Sequence, residues 1–201
     1  MRDLSPSPVG TADRRPVDHS EGDHQRTRAD APPQGSARAD GGRPEPSPAR
    51  IVADADVLAC DLLVDGDARR ALDHVRSHSW VTLVASDHLL DEAEAVIRDL
   101  ASETDPDLAA DWRAKIETLR EPVDHPAGDH PALASAYAGG AMHLLSFDEG
   151  LGSAGAGMAL RKHVPVSVRP PDAFAALFSA ESLYPEVVGG EYPGPDRDPR
   201  A

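Results

Sequence analysis

Four short apolar runs, Ile51–Ala53, Trp80–Ala85, Met142–Phe147 and Val164–Val168, are separated by stretches whose apolar residues recur at helical spacing. Short runs that are apolar on both sides suit strands buried on both faces, and the helical stretches between them supply the crossovers that a parallel sheet requires. The expected fold is therefore α/β, a three-layer α/β/α arrangement with a mainly parallel central sheet. The intervening helices are read from Val57 to Leu63, around Ala68, Ala71, Leu72 and Val75, and from Leu89 to Ile97 with Ser86 as N-cap. Another opens at Asp105–Pro106 and ends before Pro122; after a loop from Pro122 to Gly128, a further one runs from His130 to Gly139. A glycine-rich stretch, Gly150 to Gly157, leads into a short helix, and Pro171 to Phe178 forms the final one.

Composition confines this pattern to the later part of the chain. Residues 1–49 are rich in Pro, Gly, Ser, Asp and Arg with almost no large apolar side chains, so burial cannot offset the entropy of ordering them. They read as a disordered tail, residues 50–180 as the folded domain, and residues 181–201 as a second disordered tail with renewed Pro and Gly content. The net charge of −15 belongs wholly to residues 51–201, which hold 27 acidic and 12 basic residues. An acidic, lysine-poor surface over a core of Ala, Val and Leu suits a halophilic protein, since the Debye length falls to about 3 Å at 1 M salt. An ordinary acidic protein of a GC-rich genome would show the same composition. Cys60 is the single cysteine, which excludes an intrachain disulfide and fits a reducing, cytoplasmic setting. No stretch approaches the apolar length of a membrane span.

Several carboxylates sit where strands end or helices begin. Asp54 closes the first apolar run and Asp148 follows the third, at the carboxyl ends of strands, where α/β sheets bind their ligands. Glu92 and Asp129 lie at helix starts, where the macrodipole favours acids in any case, so each alone reads equally as a cap or surface charge. Asp56 and Glu149 are neighbours that can join a site or simply be solvated.

These segments resemble the PIN domain, a family of small metal-dependent nucleases, over roughly residues 50–178. Ile51–Leu58 looks like its opening strand with Asp54 as the first metal-binding aspartate, and Asp56 stands where the family usually has Asn, Thr or Ser. Ser86–Ile97 is similar to the helix start carrying the family's glutamate, with Glu92 in register. Asp129–Ala136 resembles the third acidic motif, and Leu144–Asp148 the strand ending in Thr-x-Asp, with Ser146 in place of Thr. Val164–Phe174 looks like the terminal strand and helix. The resemblance implies a PIN-like fold and a metal-dependent (endo)ribonuclease that hydrolyses RNA with a metal-activated water. Asp54, Glu92, Asp129 and Asp148 would be metal ligands, directly or through water, and Ser146 would orient an acid or a water. The cofactor would be Mg2+ or Mn2+, because hard cations take oxygen ligands and let crowded carboxylates stay ionised. Other roles within the resemblance are a catalytically degenerate module that binds RNA or a protein, and a toxin-type RNase held by an antitoxin-like protein. The long tails speak against a compact toxin. A homodimer paired through helices also fits the family.

Other signals point elsewhere with less force. Gly150-Leu-Gly-Ser-Ala-Gly155 matches G-x-G-x-x-G, but it lies late in the chain beside two carboxylates and so does not suit a pyrophosphate. The near-repeat Asp124-His-Pro-Ala-Gly-Asp129-His-Pro131 brings His125 and His130 near Asp129, either as ligands for a softer metal or as exposed loop residues. Phosphate contacts need basic side chains, for which Arg69, Arg70, Arg98, Arg161 and Lys162 are available.

Overall fold

The computed structural model describes residues 44–101, 103–152 and 165–200. In chain order the elements are β1 (Ser47–Ala53), α1 (Ala55–Leu63), α2 (Asp67–Arg76), β2 (Thr82–Ala85), α3 (Asp87–Ala101), α4 (Leu108–Glu117) and β3 (Arg120–Pro122). They continue with α5 (Pro131–Gly139), β4 (Ala141–Leu145), α6 (Glu149–Gly152), β5 (Ser167–Arg169), α7 (Pro171–Leu177) and α8 (Ala180–Val187). The five strands form one parallel sheet in the order β3-β2-β1-β4-β5, flanked by helices, as the alternating pattern requires.

The sheet grows outward from β1 in both directions, first to β2 and β3 and then to β4 and β5. The topological switch point therefore lies between β1 and β4. Ile51 and Val52 are wholly buried, as are Val84 on β2 and Leu144 and Leu145 on β4, which is why these strands are apolar without alternation. On α3, Leu89, Leu90, Ala93, Ile97 and Ala101 form one buried face. Where α5 crosses β2, a Cβ on Gly139 would overlap a Val84 methyl, so only glycine permits this approach. Gly140 ends α5 with φ 63°, and its carbonyl accepts from Ser47 N–H at 2.9 Å, tying the start of β1 to the turn before β4.

Several boundaries differ from expectation. β1 begins at Ser47, inside the expected tail, because pairing with β4 recruits Ser47, Pro48, Ala49 and Arg50, a stretch without a run of large apolar side chains. β3 is a strand that reads as the end of a helix and a loop, since an edge strand tolerates Arg, Glu and Pro. Another is the C-terminal segment, expected to be disordered. Residues 180–187 form α8, and the following residues pack back on the domain. Tyr192 OH meets His78 Nε2 at 2.6 Å, Asp196 Oδ1 accepts from Ser79 N–H at 2.7 Å, and Arg200 pairs with Asp73 at 2.9 Å. Pro and Gly shape turns in this segment, while Tyr184 and Tyr192 anchor it in an aromatic cluster with His78 and Trp80. α4 also starts at Leu108 rather than at Asp105. The glycine-rich stretch from residue 153, the short helix expected after it, and Arg161, Lys162 and Val164 lie outside the described residues. Among the described residues no helix is long and apolar enough to cross a membrane.

Candidate active site

Parallel pairing places the ends of β1 and β4 side by side. Ala53 is in register with Leu145, and Asp54 N–H donates to Leu145 O at 2.8 Å, so Asp54 and Ser146 are neighbours across the switch point. Asp54 is the N-cap of α1, with extended backbone, and its Oδ1 accepts from Ala55 N–H at 2.9 Å. Its Oδ2 accepts from the Ser146 hydroxyl at 2.9 Å. The Ser146 Oγ in turn accepts from the Asp148 peptide N–H at 3.0 Å, and Asp148 Oδ1 accepts from Gly150 N–H at 2.7 Å. Ser146 is 4% exposed, and its own N–H is held by Arg169 O on β5. One buried hydroxyl thus fixes a carboxylate on one central strand and the turn carrying a second carboxylate on the next. A Cβ at Gly150 would lie 2.9 Å from Asp148 Oδ1 and push that carboxylate aside.

This donor set suits a hard divalent cation. Each carboxylate oxygen has about two acceptor sites, and among the described residues Asp54 commits one on each oxygen while Asp148 accepts from Gly150 on Oδ1. Mg2+ is commonly held by one or two carboxylates with the remaining positions filled by water and substrate phosphate.

Glu92 and Asp129 lie along the same edge by topology, because in a parallel sheet the helix after each strand starts at its carboxyl end. Both are exposed and make no hydrogen bond or ion pair among the described residues. Neighbouring acids on α3 are engaged by arginines: Asp91 meets Arg113 at 2.7 Å, Glu94 pairs with Arg98, and Asp87 with Arg120. Arg120, 6% exposed at its side chain, also donates to Ala85 O at 2.8 Å. Its hydrogen bond and charge hold the Asp87 carboxyl below the usual range. Glu92 is left outside this network. Among the described residues no group of three or more His, Cys, Asp or Glu is placed to hold a metal ion. The structure thus joins Asp54, Ser146 and Asp148 and leaves Glu92 and Asp129 apart from them. Asp56 and Glu149 are exposed in the first turns of α1 and α6.

A second hydroxyl network flanks Asp54 on its other side. Ser86 ends β2 and caps α3 as expected, its Oγ accepting from Leu89 N–H at 3.2 Å. Ser135 of α5 donates its hydroxyl to the same oxygen at 3.0 Å and accepts from Ser86 N–H at 3.1 Å. With two bonds accepted, Ser86 Oγ directs its own proton to His125 Nε2 at 2.8 Å, and His125 Nδ1–H donates to Pro126 O at 3.0 Å. Both ring nitrogens of His125 are committed, so it is a tether for the 123–130 loop and not a metal ligand. His88 packs on its ring at 5.3 Å. His130 is exposed at the N-cap of α5 with no side-chain cap bond. The capping role of Ser86 was legible in sequence, but its pairing with Ser135 and His125 spans 49 and 39 residues and has no local signature.

The fold and the switch-point carboxylates define an α/β protein with a polar edge at the carboxyl ends of its sheet. A family model described as a family of unknown function (DUF7384) matches residues 45–200, and the chain belongs to that family. No curated protein and no solved structure matches the chain.

Proposed function

We propose that the chain is a PIN-like, Mg2+- or Mn2+-dependent nuclease that hydrolyses RNA phosphodiester bonds at the carboxyl edge of its sheet. The observation that carries this reading is the Asp54–Ser146–Asp148 relay across the switch point. RNA as substrate rests on the resemblance of the acidic motifs to PIN domains.

Asp54 and Asp148 would hold the cation, with Glu92 and Asp129 contributing through water from the same edge. When bound, the cation supplies a Lewis-acid centre that promotes deprotonation of water and offsets charge on the phosphate. Ser146 orients Asp54 by donating to Oδ2 and keeps Asp148 in place through its peptide N–H. Ala55 N–H and Gly150 N–H hold one further oxygen of each carboxylate, which limits rotation of both groups. The Ser86–Ser135–His125 network anchors the loop that carries Asp129.

The test is cleavage of single-stranded and structured RNA with Mn2+ and with EDTA, at several KCl concentrations. Metal-dependent cleavage that disappears in both Asp54→Asn and Asp148→Asn is the expected result. Unchanged cleavage in both variants refutes the assignment, and metal-independent RNA binding without cleavage identifies a degenerate module instead.

A further inference from the structure

A cavity of about 630 Å³ lies between the far end of α1, helices α2 and α4, and the segment from Arg197 to Arg200. Its size is within the roughly 300–1,000 Å³ of small-molecule sites. Asp61, on its wall, is seven residues beyond Asp54, about 10 Å along the axis of α1 and away from the carboxyl edge.

The charge here is reversed relative to the rest of the domain. Five of the 12 basic residues of 51–201 line the cavity (Arg69, Arg76, Lys115, Arg197 and Arg200) against three of its 27 acids. Asp61, 4% exposed, organises two of them. Arg76 grips both of its carboxylate oxygens; Arg69 donates to the Asp61 and Leu62 carbonyls and lies 3.9 Å from Asp61 Oδ1. Arg69 also pairs with Asp65 at 3.6 Å and Arg76 with Asp73 at 3.8 Å, so these two guanidiniums are matched by carboxylates, and the surplus positive charge of the cavity rests on Arg197, Arg200 and Lys115 against Asp198. Arg200 is held across the cavity by Asp73, whereas the Arg197 side chain has no ion pair or hydrogen bond among the described residues. The remaining wall is apolar, formed by Leu62 and Leu119 over the mostly buried Trp112 and Ile116.

Guanidinium forks match phosphate oxygens, and an aromatic and aliphatic wall accepts the flat face of a base. We propose that this cavity binds a nucleotide phosphate, with the phosphate on Arg197, Arg200 and Lys115 and the base against the Trp112 wall. A free mononucleotide and a segment of a single strand share this chemistry. The site is separate from the carboxylate edge and stands whether or not that edge is catalytic.

The experiment is calorimetric titration of the full chain in EDTA with AMP, inorganic phosphate, adenosine and a short oligoadenylate. AMP is expected to bind at one site, about tenfold or more tighter than phosphate or adenosine. Arg197→Glu should weaken that binding by about tenfold or more without lowering the unfolding temperature. Arg197→Gln, which keeps the backbone bond to Ser77, replaces it if the glutamate variant does not fold. Asp54→Asn should leave the affinity unchanged. Binding of the oligonucleotide alone, with the same sensitivity to Arg197, assigns the phosphate to a strand. The proposal is overturned if neither AMP nor the oligonucleotide binds, if inorganic phosphate binds as tightly as AMP, or if binding ignores Arg197 or is lost in Asp54→Asn.

Discussion

Ser146 holds two carboxylates with one hydroxyl, so its replacement by alanine has a defined cost. The Ser146→Ala variant loses the donor to Asp54 Oδ2 at 2.9 Å and the acceptor of the Asp148 N–H at 3.0 Å, at a position 4% exposed. A bond to a charged group contributes roughly 1.5–3 kcal/mol and a neutral one about 1 kcal/mol. Asp54 is half-buried and recovers part of its loss from water, so the net destabilisation should be about 2 kcal/mol. For a domain of this size that lowers Tm by roughly 4–8 °C, measurable by thermal and urea denaturation. Ser146→Thr keeps the hydroxyl and should stay within about 1.5 kcal/mol of the parent. A double-mutant cycle with Asp54→Ala should give a coupling of about 1 kcal/mol. Additivity within about 0.5 kcal/mol would show that the relay does not exist in solution.

Three further outcomes follow from the packing and charge. Burial lowers the titration of His74, with His78 adding to it, and burial with the Arg169 charge lowers that of His143, both from the ordinary 6.5. The unfolded chain then binds more protons than the native one below about pH 6.5. Stability should be flat above that pH and fall by up to about 1.4 kcal/mol per pH unit per histidine below it; His143→Asn should reduce the slope in urea denaturation, and an unchanged slope would contradict this. Gly139→Ala drives a methyl into Val84 and should cost roughly 1–3 kcal/mol, partly restored by Val84→Ala; a neutral effect would mean that α5 lies farther from β2 than described. With a net charge of −15, Tm should rise between 0.1 and 2 M KCl, and a flat or falling Tm would exclude salt adaptation.

The legible part of this molecule is the part written in local patterns. Asp54 and Asp148 follow buried apolar strands, and their adjacency needs only the parallel pairing of β1 with β4. Ser86 is recognisable because a cap lies next to the helix it serves. β3 was hidden, since Arg120, Glu121 and Pro122 carry no strand propensity and are tolerated only at a sheet edge. The docked C-terminal segment was hidden for another reason. Tyr192, Asp196 and Arg200 are isolated anchors among Pro and Gly, and their partners His78, Ser79 and Asp73 lie more than a hundred residues earlier. In sequence His125 reads equally as a ligand for a softer metal or as a loop residue, because its ring bonds to Ser86 and Pro126 depend on the folded loop.

The proposed nuclease requires the edge bearing Asp54 and Asp148 to hold a divalent cation. Titration of Mn2+ monitored by electron paramagnetic resonance, in the parent and in Asp54→Asn and Asp148→Asn, tests it most directly. The expected result is a stoichiometric site in the parent that weakens by at least about tenfold in each variant, from loss of a ligating carboxylate. A parent that binds no Mn2+, or variants that bind it as tightly as the parent, would contradict the account.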